Sequence, residues 1–148
     1  MQVFSIIDSG ILVRKLLKDV EFDSWKFIQS KIQKNITYEI DGQNIREYYG
    51  SKDIDEYVSW VDVKPIIYEI IKGQKLPISM TIVLKLENED VDKSFGRVIN
   101  IKYLNNEMRV ISAFSYSTFS LDRSEESKWD KYIQDLFDRL EIKYSIYE

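Results

Sequence analysis

The stretch Ser59-Trp60-Val61-Asp62-Val63-Lys64-Pro65-Ile66-Ile67-Tyr68-Glu69-Ile70-Ile71-Lys72-Gly73 predicts the best-defined helix in mid-chain. Ser59 and Asp62 have the spacing of a capping box, Pro65 fits only near a helix start, and Gly73 is a C-terminal stop signal. Apolar residues at helical spacing form one stripe, which consists of Val63, Ile66, Ile67, Ile70 and Ile71. We therefore expect this helix to pack on a β-sheet that is built by the strands before and after it.

Composition limits both the size of the fold and the chemistry that the chain can perform. The 148 residues are 44% hydrophobic and 14% aromatic, which is enough for one domain, residues 1–148, with its own core. The net charge of -4 argues against coating nucleic acid with the whole surface, although it allows a local basic patch. The chain has no histidine and no cysteine, which excludes disulfides, thiol nucleophiles, Cys/His zinc sites and Ser-His-Asp triads. We expect no cofactor.

The amino-terminal segment, Met1 to Asp8, lacks the basic region of a signal peptide. No later apolar run is long enough to span a bilayer. We therefore expect a cytoplasmic protein without membrane contact.

Residues 2–49 predict a strand, a helix and three further strands. In order, these are a strand at Val3–Ile7, a helix from Asp8 or Ser9 to about Asp19, two strands between Ser24 and Ile40 that reverse at Lys34-Asn35, and a returning strand at Ile45–Tyr49. A change of apolar phase indicates a bulge near Phe27-Ile28, and Asp41-Gly42 is a strong turn signal.

Residues 56–121 predict the same order of elements again. They comprise a short strand at Glu56–Val58, the central helix, a strand with Met80, Ile82, Leu84 and Leu86 on one phase, and a long hairpin of Val98–Leu104 and Met108–Leu121 around Asn105-Asn106. An acidic loop, Glu87–Ser94, precedes the hairpin. A last helix, about residues 123–141, begins after the capping pair Asp122 and Glu125.

The predicted fold class is α+β: a doubled β-α-β-β-β arrangement of antiparallel sheets with two central helices and an additional C-terminal helix. This order of elements resembles a single domain of the sliding DNA clamps. The resemblance implies that the two central helices lie side by side, as do the helices that line the interior of a clamp ring.

Short motifs spread over nearly the whole chain carry a second resemblance. They are Phe22-Asp23, Ile40-Asp41-Gly42, Trp60, Val63-Lys64-Pro65, Ile71-Lys72-Gly73, Lys75, Pro77, Thr118-Phe119-Ser120-Leu121-Asp122 and Trp129-Asp130. Through these motifs the chain resembles a family of uncharacterised bacterial proteins known only as a domain of unknown function. The resemblance implies no catalytic residue, cofactor or substrate.

Basic residues on the two predicted central helices are the candidates for contact with nucleic acid or a protein partner. They are Arg14, Lys15 and Lys18 on the first helix, and Lys64, Tyr68, Lys72 and Lys75 on or just beyond the second. Such residues follow phosphates by charge, and Tyr68 could add a stacking contact. The competing interpretation is that both are ordinary solvated helix faces, which Glu69 on the second helix favours.

The leading functional hypothesis is a non-catalytic binding or assembly domain. The alternative is a hydrolase or transferase that relies on carboxylates alone, and the acids available for it are Asp41, Asp62, Glu69 and Asp122. Asp41 is explained by a turn, and Asp62 and Asp122 by helix caps. The run Glu87, Glu89, Asp90 and Asp92 could bind a hard cation, but it lacks EF-hand spacing and favours a solvated loop.

Two further patterns concern the core and the C-terminal tail. Trp25, Trp60 and Trp129 are expected in the core, as aromatic residues usually are. Ile142, Tyr144 and Ile146 alternate with polar residues and Tyr147, which predicts a strand. This strand pairs either with a sheet edge of its own chain or with a second copy in a homodimer, and we favour its own chain.

Overall fold

In a computed structural model, the chain folds into an antiparallel sheet with helices packed on it. The structure describes residues 1–50, 53–87, 95–116 and 123–147. The elements within these residues are β1 (Val3–Ile6), α1 (Ser9–Leu17), β2 (Lys26–Gln33), β3 (Thr37–Asp41), α2 (Arg46–Tyr49), α3 (Trp60–Ile71), β4 (Ser79–Lys85), β5 (Phe95–Leu104), β6 (Glu107–Tyr116), α4 (Ser124–Arg139) and β7 (Tyr144–Tyr147). The strand order is β3-β2-β4-β5-β6-β1-β7, and each neighbouring pair is antiparallel. The α+β class is therefore confirmed.

One face of the sheet carries the apolar side chains. Phe4 pairs with Val110, Val110 with Ile101, and Ile101 with Ile82, so these four residues cross the sheet in one row. Side chains opposite each other in register share a face, and all four are buried. They belong to the same cluster of buried residues as Leu16 of α1, Ile67 of α3 and Phe137 of α4. Within the predicted stripe of α3, Ile66 does not join this cluster, since 53% of it is exposed on the solvent side of the helix. The core therefore lies between this face and the three helices.

Buried tryptophans join the helices to each other and to the sheet. The Nε1 of Trp60, at the start of α3, donates to the carbonyl oxygen of Leu16 in α1 at 2.8 Å, and this carbonyl is one that a helix end leaves unpaired. The Nε1 of Trp129 in α4 donates to the carbonyl oxygen of Val98 in β5 at 3.2 Å. Trp25 lies 6.1 Å from Trp129 between ring centroids. The core positions predicted for all three tryptophans are confirmed.

The predicted bounds of the central helix are confirmed, but its capping box is not formed. Ser59 occupies the N-cap of α3 without a side-chain cap hydrogen bond, because its Oγ accepts from Lys26 Nζ at 3.4 Å instead. Lys72 is the C-cap, and Gly73 follows with φ of 128°, a conformation that favours glycine. In α1, the predicted cap is present, since the Asp8 carboxylate accepts from Gly10 N at 3.1 Å.

Residues 45–49 form a helix, so the prediction of a returning strand at Ile45–Tyr49 is wrong. The turn signal before it is correct, since Asp41 Oδ1 accepts from Gln43 N at 2.9 Å. The chain then enters α2, which ends at Gly50 with φ of 65°. Glu56–Val58 forms an isolated bridge with Gln43 rather than a strand. The first half therefore lacks its third strand, and one continuous sheet replaces the separate antiparallel sheets that we expected.

The predicted reversals of the chain are confirmed. β2 and β3 are joined at Lys34-Asn35, and β5 and β6 at Asn105-Asn106, whose φ angles of 54° and 63° suit a tight hairpin. The bulge predicted near Phe27-Ile28 appears as a register shift between Phe27 and Gln29. At this bulge the backbone of Gly42 approaches so closely that an added Cβ would lie 2.0 Å from the Phe27 carbonyl oxygen.

The C-terminal strand pairs within its own chain, as we favoured. Phe4 and Ile6 of β1 pair with Ile146 and Tyr144 of β7. The ring centroids of Phe4 and Tyr144 lie 5.2 Å apart in an edge arrangement that adds to this contact.

Some sequence predictions lie outside the described residues. They are the capping role of Asp122, the strand extension to Leu121, the motif at residues 118–122, and the acidic positions Glu89, Asp90 and Asp92. In the part of the chain that is described, no helix is both long and apolar enough to cross a membrane.

Candidate contact surface

The predicted contact residues fall at two ends of the layer formed by α1 and α3. The Nζ of Lys64 donates to the carbonyl oxygen of Asp19 at 2.8 Å, which places Lys64 beside the end of α1. At the other end of α3, Lys34 Nζ donates to the Ile70 carbonyl oxygen at 2.9 Å, and Lys75 lines a cavity together with Lys34. The two central helices thus lie side by side, but their basic residues do not form one continuous patch.

Two of the predicted residues hold the backbone in place at the end of α1. Lys15 Nζ forms ion pairs with Asp19 at 3.2 Å and Glu21 at 3.4 Å, and the hydrogen bond to Asp19 raises the pKa of Lys15. Lys64 Nζ pairs with Asp23 at 2.7 Å, and only 14% of its side chain is exposed. We call these five residues the paired-charge end. Its acids come from the segment between α1 and β2, which its lysines fasten to the helices.

The other predicted helix residues are more accessible. Arg14 and Lys18 are exposed, and neither forms an ion pair with any residue in the described part of the chain. Lys72 is exposed but pairs with Glu69 at 2.7 Å, and this hydrogen bond raises the pKa of Lys72. Tyr68 is exposed on the same helix. Arg14 and Lys18 therefore carry the unpaired charge of the α1 face.

A group of exposed aliphatic side chains lies at one end of the sheet. Ile78 N donates to the Gln33 carbonyl oxygen at 2.8 Å, and Ser79 pairs with Leu104, so the β2–β3 turn, the segment before β4 and the β5–β6 hairpin are neighbours. The exposed fractions are 57% for Ile36, 65% for Leu76, 67% for Ile78 and 54% for Leu104. Large exposed apolar groups of this kind mark interaction sites more often than isolated ones do.

A cavity of about 310 Å³ adjoins this group at Leu76 and Ile78, and its lining comprises Lys34, Asn35, Lys75, Leu76 and Ile78. The lining combines two aliphatic side chains with two lysines, and none of these five residues is acidic. We define the sheet-end surface as Lys34, Ile36, Lys75, Leu76, Ile78 and Leu104. Such a surface can accept an apolar group that carries or adjoins a negative charge.

Sequence reasoning included Lys75 but missed the aliphatic residues around it. Leu76 and Ile78 extend the pattern of an apolar residue at every second position that continues with Met80 in β4. Ile36 extends the same kind of pattern from Tyr38 in β3. Apolar alternation that continues beyond the paired residues of a strand indicates an exposed apolar surface of this kind. Leu104 gives no comparable signal, because it is out of phase with the buried residues of β5.

Within the described residues, the acids proposed for carboxylate chemistry, Asp41, Asp62 and Glu69, have structural partners or are exposed. Glu39 and Asp41 line an open depression of about 530 Å³ on the other face of the sheet, where Glu39 pairs with Lys31 at 3.8 Å. Asp41 accepts the turn hydrogen bond described above, Glu69 pairs with Lys72, and Asp62 is exposed in the first turn of α3. Across the described ranges, no group of three or more acids is arranged to hold a metal ion.

A larger open depression, of about 820 Å³, contains Asp138 and Glu141 near the start of β7. Tyr144 also lines it, and burial, followed by the negative charge of Asp138, raises the pKa of Tyr144.

Comparison with known proteins gives a family and no function. No curated protein and no solved structure matches the chain. The resemblance to an uncharacterised family is confirmed, because the profile of DUF5721, described as a family of unknown function, matches residues 15–145. The chain therefore belongs to DUF5721.

Proposed function

We propose that this chain is a non-catalytic binding domain, and that the sheet-end surface is where it contacts a partner. One observation carries the proposal: four large aliphatic side chains at one end of the sheet are more than half exposed, and two of them, Leu76 and Ile78, line a cavity together with Lys34 and Lys75. Exposing this much apolar surface is unfavourable in water unless a partner covers it. The lysines add a preference for a partner segment that carries carboxylates.

The size of the cavity indicates what it can hold. Pockets for small-molecule ligands span roughly 300–1,000 Å³, so this cavity of about 310 Å³ lies at the lower end of that range and has room for one large side chain of a partner. Its fixed wall comes from Lys34, whose Nζ is held by the Ile70 carbonyl oxygen. Lys75 has no such contact with any residue described and remains available for a carboxylate.

Nucleic-acid contact through a clamp-like arrangement is a second candidate. The side-by-side packing of α1 and α3 through Trp60 and Leu16 supports it, as does the exposure of Arg14 and Lys18. The engagement of Lys15 and Lys64 with carboxylates reduces the charge available for phosphate. The carboxylate-only hydrolase or transferase has less support, since Asp41 is engaged in a turn and Glu69 in an ion pair.

The test is a nuclear magnetic resonance titration of the protein with two blocked peptides of equal length. One contains leucine, tyrosine and aspartate, and the other has lysine in place of each aspartate. We expect the acidic peptide to shift amide signals at Lys34–Ile36 and Lys75–Ile78, and the basic peptide to bind at least several-fold more weakly.

Two substitutions at the cavity, Lys75→Gln and Leu76→Ser, should each weaken binding of the acidic peptide. Lys18→Gln and Val20→Ser are the matched controls, since both residues are exposed far from the cavity. Equal binding by the two peptides, or by Leu76→Ser and Val20→Ser, would contradict the proposal.

A further inference from the structure

The α2 segment exposes a second apolar surface that has no role in the core. None of the four residues of α2 is buried. The exposed fraction is 66% for Ile45, 84% for Tyr48 and 52% for Tyr49, and the two tyrosine rings meet edge to face at 5.3 Å. Tyrosines of this kind are the residues that most often anchor protein interfaces, because they offer large rigid area with a polar tip.

The α2 segment and the sheet-end surface lie at opposite ends of β2. The segment is tied to the start of β2, because Gln43 bridges Tyr57, and Ser59 bridges Lys26. The sheet-end surface adjoins Gln33, the last residue of β2. A strand of eight residues separates them by roughly 25 Å. One molecule therefore cannot cover its own sheet-end surface with its own α2 segment.

The two surfaces are also opposite in charge. Around α2, Glu47, Asp53, Asp55 and Glu56 outnumber Arg46 and Lys52 in the sequence, and a small acidic excess remains after Asp55 pairs with Lys26 at 2.8 Å. The segment Lys72–Ile78 and the turn Lys34–Ile36 contain lysines and no acid. Opposite charge steers such surfaces together, whereas pairing two sheet-end surfaces would bring like charges together.

We propose that the sheet-end surface of one copy binds the α2 segment of a second copy, with Tyr48 or Tyr49 entering the cavity between Lys34 and Lys75. This inference rests on the proposed function, for which it names the partner. The contact is head to tail, so each bound pair still has one free α2 segment and one free sheet-end surface. Further copies add at both ends, giving a closed ring or an open filament.

Complementation between two variants tests this arrangement. Tyr48→Ser with Tyr49→Ser removes the aromatic anchor, and Leu76→Ser with Ile78→Ser removes the apolar cavity wall. All four side chains are exposed, so both variants should fold, which circular dichroism checks.

The mean mass in solution is measured by sedimentation. Small interfaces are transient, so the measurements should reach protein concentrations of about 1 mM. We expect the mean mass of the unaltered chain to rise past that of a dimer. Each variant alone should stay monomeric, and their equimolar mixture should stop at a dimer.

Single-cysteine variants give a second readout, because the chain has no native cysteine. Mixing Tyr48→Cys with Leu76→Cys under mild oxidation should give the mixed disulfide dimer several-fold faster than either variant links to itself. Val20→Cys, at an apolar position that is 75% exposed elsewhere, is the matched control for Tyr48→Cys. If Tyr48→Cys links to itself as fast as it links to Leu76→Cys, the contact is symmetric and the head-to-tail arrangement is wrong.

The outcomes separate the two proposals. A protein that stays monomeric at the highest concentration but still binds the acidic peptide through Leu76 retains the binding function and overturns pairing with a second copy. Self-association that survives both serine variants also overturns the pairing. Loss of peptide binding together with a constant mass overturns both proposals.

Discussion

The paired-charge end and the sheet-end surface both present lysines, but they use them differently. At the paired-charge end, Lys64 reaches a backbone carbonyl oxygen and a carboxylate, both within 2.8 Å. At the sheet-end surface, Lys75 lies beside exposed Leu76 and Ile78. The difference shows that the role of a lysine depends on which acids the fold brings to it. A basic helix face in a sequence is therefore not sufficient to locate a binding site.

The largest expected contrast in unfolding free energy is between Trp60, buried near the paired-charge end, and Leu76, exposed at the sheet-end surface. Trp60→Ala removes a fully buried ring and its hydrogen bond to Leu16, and should lower the free energy of unfolding by about 3–5 kcal/mol. Leu76→Ala should change it by less than about 0.5 kcal/mol. Urea denaturation measures both values. A cost for Leu76→Ala close to that of Trp60→Ala would mean that the sheet-end surface is part of the core.

The next contrast compares the lysines themselves. Lys64→Met leaves the Asp23 carboxylate and the Asp19 carbonyl oxygen without their donor, and should cost about 1–3 kcal/mol of unfolding free energy. Lys75→Met should cost less than about 0.5 kcal/mol, because the side chain is exposed. Both are lysine-to-methionine changes, so side-chain volume and flexibility are matched. Equal costs in urea denaturation would remove the distinction between the two ends.

Lys34 refines the comparison, because it belongs to the sheet-end surface but has a structural contact. Its Nζ donates to the Ile70 carbonyl oxygen near the end of α3, where positive charge also favours the helix dipole. Lys34→Met should therefore cost about 1 kcal/mol of unfolding free energy. The control is Lys31→Met, whose surface ion pair with Glu39 contributes little. The same cost for both substitutions would show that the Ile70 contact does not stabilise α3.

The smallest expected effect concerns nucleic acid. If only Arg14 and Lys18 meet phosphates, log K for duplex DNA should fall against log salt with a slope of about -2. Replacing both residues by glutamine should abolish this slope, and adding Lys72→Gln should change it little, because Lys72 is paired with Glu69. Fluorescence anisotropy at several salt concentrations measures the slope. A slope several-fold steeper would show that Lys15 and Lys64 leave their partners to bind DNA.

Local signals in the sequence predicted much of the fold. The bounds of α3 follow from Ser59 and Gly73, and the β5–β6 hairpin from Asn105-Asn106, because each depends on backbone preferences of a few residues. The pairing of β7 with its own chain also follows from its alternation and from the need to protect a sheet edge.

Features that depend on distant parts of the chain could not be predicted. Arg14, Lys15 and Lys18 look equivalent in the sequence, but acids of the following segment reach Lys15 alone among these three. The segment Ile45–Tyr49 has strand-forming residues, but it forms α2, which ends at Gly50. The clustering of Ile36, Leu76 and Leu104 depends on the order of strands in the sheet, which single-strand patterns do not contain.

The position of β1 has a consequence for the time course of folding. β1 is the first strand in the sequence, yet it lies between β6 and β7, with Val3 paired to Ile111 and to Tyr147. During synthesis, both edges of β1 and its apolar side chains Phe4 and Ile6 remain uncovered until residue 111 has left the ribosome. Contacts this distant make folding slow, and unpaired strand edges invite pairing with other chains. A nascent chain interrupted before β6 therefore exposes a strand that it cannot cover, so the interval before β6 emerges is when the protein is most prone to aggregate.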